Sequence, residues 1–119
     1  MTQLTLCDVL LMNDSRYPWL ILVPRVADIT DLHQLPSPES ELLWQEIGTV
    51  SKALESATKP FKLNVAALGN MVPQLHIHII ARNQDDAAWP GPVWGIGDAV
   101  PYADQESSKL VAAIVDQLT

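Results

Sequence analysis

The chain is expected to fold as a single α+β domain spanning residues 1–119, an antiparallel sheet with one central helix and a C-terminal helix. Three observations carry this. Short apolar runs are separated by turn residues, two stretches carry helical periodicity, and the links between neighbouring strands are short. The length, 119 residues, suits one hydrophobic core, and 48% apolar content spread along the chain argues against disorder.

The first two strands come from Val9-Leu10-Leu11-Met12 and Trp19-Leu20-Ile21-Leu22-Val23. Asn13-Asp14-Ser15 between them is a turn signal, and Pro24 stops the second run. They read as an antiparallel pair with the second strand largely buried. Cys7 is the single cysteine, so no internal disulfide can form, and it reads as a small hydrophobe packed in a strand.

The central helix is expected to begin at Ser37-Pro38-Glu39. Serine can cap, proline fits the first turn, and Glu39 and Glu41 suit the positive end of the dipole. Leu43, Ile47, Val50 and Leu54 then form one apolar stripe. Glu41, Glu46 and Glu55 read as a solvated face, and Trp44 as a packing residue. Phe61 to Ala66 reads as a strand, Leu68 to Pro73 as a loop, and Gln74 to Arg82 as a further strand. A Pro/Gly/Trp-rich stretch runs from Asn83 to Pro101. The last helix is expected from about Asp104 to Leu118, with Leu110, Ile114 and Leu118 on one face.

Net charge is −7 and the seven Lys and Arg residues are scattered, which argues against binding duplex nucleic acid. No run approaches the ~18 apolar residues of a membrane span, and the N-terminus lacks the features of a signal peptide. A cytoplasmic protein with no membrane partner is the expectation.

The chemistry concentrates in Gln74-Leu75-His76-Ile77-His78-Ile79-Ile80. On a strand, Gln74, His76 and His78 share one face, with successive Cβ atoms about 7 Å apart, while Leu75, Ile77 and Ile79 face the core. Three readings fit this spacing. The histidines sit on a solvated face, or they hold a metal, or one imidazole is a nucleophile assisted by the other. A metal needs a third ligand, and His33 is remote in sequence. The loop before the strand, Gly69-Asn70-Met71, offers backbone N–H groups to an anionic oxygen, which favours phosphoryl chemistry.

These residues resemble the histidine triad family, whose signature alternates three histidines with hydrophobic residues. Gln74 stands in the place of the first histidine. Gly69-Asn70 resembles the family's Gly-Gln or Gly-Asn, Ala81-Arg82 its Pro-Arg or Gly-Arg, and Trp89-Pro90-Gly91 the segment that follows in one branch. The resemblance extends from Leu6 to Gly95. It implies a HIT-like fold and a homodimer that takes a nucleotide or nucleotide-conjugate substrate; no cofactor and no metal-ligand set are expected. The reaction implied is attack of His76 on the α-phosphate of a nucleoside phosphoramidate or dinucleoside polyphosphate, through a nucleotidyl-histidine intermediate. His76, His78 and Gln74 would form the catalytic set. The main-chain carbonyl of Gln74 would orient His76, and the Gln74 side chain could donate to phosphate. Gly69, Asn70, Met71 and Asn64 would surround the phosphate, and Asn13 or Asp14 the ribose. Two departures stand out. Met71 replaces a frequent serine or threonine, which leaves His78 or water to protonate the leaving group. Tyr17-Pro18-Trp19 replaces the usual Gly-His. The alternative that Gln74 and Met71 allow is a nucleotide-binding protein with little or no catalysis.

Overall fold

Five strands form one antiparallel sheet in the computed structural model, which describes residues 1–118. They are β1 (Thr2–Gln3), β2 (Cys7–Leu11), β3 (Trp19–Pro24), β4 (Lys62–Ala66) and β5 (Ile77–Arg82), in the spatial order β1-β2-β3-β5-β4. Two helices, α1 (Glu39–Thr58) and α2 (Asp104–Leu118), complete the expected α+β architecture. A single 3-10 turn, Leu32–Gln34, lies between β3 and α1.

Period-two alternation sorts the sheet into two faces. Cys7, Val9, Leu20, Leu22, Ile77, Ile79 and Ala81 point to one side. There they meet the α1 stripe of Leu43, Ile47, Val50 and Leu54, and Ile114 of α2. Leu110 and Leu118 pack against the same core, so the spacing-four face of α2 is its buried face. Cys7 lies fully buried in β2, and burial, with the Glu46 carboxylate second, pushes its thiol up to about 12.

Four local expectations are corrected. Glu46 is not solvated. It is buried in α1, and its two oxygens accept the N–H groups of Leu6 and Cys7 at 2.9 Å each, closing the backbone where the chain enters β2. Trp44 is 74% exposed and belongs to no core. Ser37 does not cap α1. Pro38 precedes the first helical residue, and the Ser37 hydroxyl donates instead to Glu41 at 2.7 Å. Finally, β5 begins at Ile77 and not at Gln74, because its pairing with β3 ends at Leu22–Ile77.

The second face carries Trp19, Ile21, His78, Ile80 and Arg82. The Asn83–Pro101 stretch folds over part of it, with Val93 and Trp94 packed into a cluster of Tyr17, Trp19 and Ile80. Arg82 holds this cover down. It is 1% exposed, ion-paired with Asp86 at 2.8 Å, and lies over the rings of Tyr17 and Trp89. Among the described residues no helix is long and apolar enough to cross a membrane.

Candidate active site

His76 sits just before β5, where the chain has left the ladder but still follows the sheet. Its Nδ1 lies 2.8 Å from the main-chain oxygen of Gln74. A carbonyl can only accept, so Nδ1 carries a proton, and in the neutral ring the lone pair is on Nε2. The loop preceding the strand presses on the same ring. A Cβ at Gly69 would lie 2.9 Å from His76 Cε1 and 3.0 Å from the Val72 oxygen, so only glycine permits this approach.

His78, two residues on, is in β5 opposite Ile21 and Ala66, and is buried. The two imidazole centroids are 4.9 Å apart with the rings at 73°. The Trp19 indole N–H donates to His78 Nδ1 at 3.0 Å, and His78 Nε2 lies 3.1 Å from the Leu68 oxygen. Trp94 stands edge-on at 5.0 Å. Burial lowers the His78 pKa below the ordinary imidazole value, and the adjacent His76 adds to this, while the Leu68 carbonyl opposes it.

His76 lines three cavities, of which two adjoin the Gly69–Asn70 loop. One, of about 390 Å³, is lined by Thr30, Asp31, His33, Asn70 and His76, among others. The other, of about 320 Å³, is lined by Leu68, Gly69, Asn70, Met71, Val72, His76 and Trp94. Gly69, Asn70 and Met71 therefore do gather at His76, although the Met71 side chain is 95% exposed. Asn64 and Asn13 do not line either cavity. The Asn64 carboxamide oxygen accepts from Arg82 at 2.8 Å, and that of Asn13 from the Tyr102 N–H at 2.9 Å. Asp14 is equally committed. Its carboxylate takes the Arg16 side chain and the N–H groups of Arg16 and Val100, and the Arg16 guanidinium is the chief cause of its lowered pKa. The Gln74 side chain turns away from His76 and donates to the carbonyls of Pro24 at 3.3 Å and Val26 at 3.2 Å. The main chain of Gln74 faces the imidazole, and its amide clamps the exit of β3.

Sequence reasoning missed Trp19 and Leu68 as the surroundings of His78, and it set His33 aside as remote. The 3-10 turn brings His33 into the His76 cavity. Only the replacement of Gly-His by Pro18-Trp19 hinted at any of this. Among the described residues no group of three His, Cys, Asp or Glu side chains is placed to hold a metal ion.

A β5 strand with one imidazole just before it and one within it, beside a Gly-Asn loop and on a sheet backed by α1 and α2, defines the α+β class that the motif pointed to. The HIT domain model matches residues 1–85, and the chain belongs to the histidine triad family. Members of this family are typically nucleotide hydrolases and transferases. Three crystal structures of histidine triad proteins superpose on nearly the whole chain. The one from Sinorhizobium meliloti has a TM-score of 0.95 and 46% identity, covering 98% of this chain and 86% of its own. The one from Bradyrhizobium japonicum has a TM-score of 0.96 and 45% identity, covering 98% and 87%. The one from Marinobacter aquaeolei has a TM-score of 0.89 and 48% identity, covering 98% and 88%. No match is found among curated proteins.

Proposed function

We propose that the protein is a nucleotide hydrolase or transferase that acts on an α-phosphate through His76. The observation that carries this reading is the 2.8 Å bond from His76 Nδ1 to the Gln74 carbonyl, which puts the proton of the neutral ring on Nδ1 and its lone pair on Nε2, at a residue where two cavities adjoin the Gly69–Asn70 loop. A phosphorus placed there is attacked by Nε2. The N–P bond forms as the bond from phosphorus to the leaving oxygen or nitrogen breaks, and the leaving group takes up a proton. Water then attacks the nucleotidyl-histidine, gives up a proton, and releases the nucleoside monophosphate. The Gly69–Asn70 loop packs against the His76 ring, and its backbone N–H groups are the donors assigned to the developing charge in this reading.

Solvent supplies the leaving-group proton in this scheme, because both nitrogens of His78 are already hydrogen-bonded. The Trp94 cavity suits the flat face of a base, and the cavity with Thr30, Asp31 and His33 suits the polar leaving group. The reading carries a homodimer with it, as the family resemblance implies.

A second reading, nucleotide binding with little turnover, is favoured by one observation. Gln74 spends both amide hydrogens on Pro24 and Val26, so no side chain replaces the missing first histidine at the phosphate. Turnover decides between the two. The wild-type protein incubated with adenosine phosphoramidate and with diadenosine tetraphosphate is expected to release AMP, and His76→Asn to lose at least about a thousandfold of that rate. Nucleotide binding without AMP release would select the second reading. Absence of both would sink the nucleotide assignment.

A further inference from the structure

His78 is bonded at both nitrogens by groups whose roles are not interchangeable. An indole N–H can only donate and a carbonyl can only accept. Trp19 Nε1 at 3.0 Å from Nδ1 therefore requires a lone pair on Nδ1, and Leu68 O at 3.1 Å from Nε2 requires a proton on Nε2. A doubly protonated ring would set Nδ1–H against the indole N–H inside a buried aromatic cluster. The next residue after Leu68 is Gly69, whose backbone lies against the His76 ring. One line of hydrogen bonds thus runs from β3 through β5 to the loop at His76.

We propose that Trp19 is a positioning residue: its indole N–H locks His78 as the neutral Nε2–H tautomer, and His78 in turn tethers the Leu68 carbonyl and holds the Gly69–Asn70 loop against His76. The elements packed on His78 contribute Trp19 and Ile21 from β3, Ala66 from β4, Leu68 from the loop and Trp94 from the covering segment. None of these side chains titrates near neutrality. His76 is the titratable group in ring contact, and its proximity also disfavours a charged His78. Trp19 occupies the position where the family resemblance leads one to expect a histidine. An indole has no acceptor there, so the tautomer of its partner is set by construction.

The tautomer and the loop tether stand on geometry alone. Their link to turnover rests on His76 acting as the nucleophile, and the experiment separates the two. Long-range proton–nitrogen correlation spectra of the wild-type protein between pH 4.5 and 8 read the state of His78 directly. Nε2–H with an unprotonated Nδ1 is expected, with titration below the ordinary imidazole range. Trp19→Phe keeps a ring and removes the donor. It is expected to mix the tautomers, raise the His78 titration by up to about one pH unit, and shift the Gly69 and Asn70 amide resonances. The acid limb of kcat/KM for AMP release is expected to rise with it.

A wild-type His78 that is Nδ1-protonated, or that titrates at the ordinary value, overturns the proposal whether or not Trp19→Phe folds. Unchanged His78 spectra in Trp19→Phe overturn the lock. A changed tautomer with unmoved Gly69 and Asn70 amides overturns the tether. A wild-type protein that releases no AMP removes the catalytic reading of His76 and leaves the spectra to decide the rest.

Discussion

On the α1 side of the sheet, Leu20, Leu22, Ile77 and Ile79 are buried against Leu43, Val50 and Leu54, with only Glu46 as a polar group among them. On the other side, His78, Arg82 and Asp14 are buried as deeply, each among directed partners. The first side is held by area removed from water, which is non-directional and tolerant of shape. The second is held by matched donors and acceptors, where leaving one unmatched costs far more than the bond is worth. The sheet therefore carries a forgiving face held by buried area and an exacting face whose matched partners set the positions of the histidines.

The largest expected effect lies on the exacting face. Asp86→Ala strands a buried guanidinium that keeps the Asn64 hydrogen bond and two aromatic faces but no counter-charge, and about 3–5 kcal/mol of stability is expected to go. Adding Arg82→Met to that variant is expected to recover much of the loss, since no charge then remains to be matched. A double variant as unstable as the single one would break the comparison. Chemical denaturation of the three proteins measures this. A pH series sharpens it. Burial by itself would raise the Asp86 carboxyl, but the Arg82 guanidinium and the N–H groups of Asn83 and Trp89 outweigh that and hold it at about 2, against 3.8 unperturbed. A carboxylate depressed in the fold stabilises above its unfolded value. The Asp86 share is thus present above about pH 4 and lost as pH falls toward 2, and Asp86→Ala is expected to lack that decline.

A smaller effect is expected where the exacting face meets the loop. Gly69→Ala places a methyl 2.9 Å from His76 Cε1 and 3.0 Å from the Val72 oxygen, so the loop or the imidazole must shift. A change in AMP release of about tenfold, near 1.4 kcal/mol in the barrier, is expected with little change in melting temperature. Melting and turnover falling together would show the loop to be structural.

The two faces were not equally legible in the sequence. Leu43, Ile47, Val50 and Leu54 announce α1, and Leu110, Ile114 and Leu118 announce α2, because burial on a helix repeats at a fixed spacing. Leu75, Ile77 and Ile79 were readable as core for the same kind of reason. The orientation of His76 by the Gln74 carbonyl was open to inference because it needs only neighbouring residues. What stayed hidden depends on partners far along the chain. Glu46 reads as one more solvated carboxylate until Leu6 and Cys7, about forty residues earlier, present their N–H groups. Asn64 has no signal for Arg82, Asn13 none for Tyr102, and His33 none for the cavity at His76. Trp19 meets His78 only because β3 and β5 pair with Trp19 opposite Ile80 and Ile21 opposite His78, and register is not written in either strand alone.

The smallest prediction tests the forgiving face. Ile79 lies fully buried in the middle of β5, paired with Leu20 and Val65 and directed at the α1 stripe. Ile79→Val removes one methylene and keeps the β-branched shape that suits a strand. A loss of about 0.5–1.5 kcal/mol is expected by denaturation, with AMP release and its pH profile unchanged. Ile79 is the neighbour of His78 in the chain, yet its side chain lies on the opposite face. If removing its methylene altered the His78 titration or the turnover, the faces would be coupled through the backbone of β5. An effect confined to stability would show that the pleat insulates the histidines from the core beneath them.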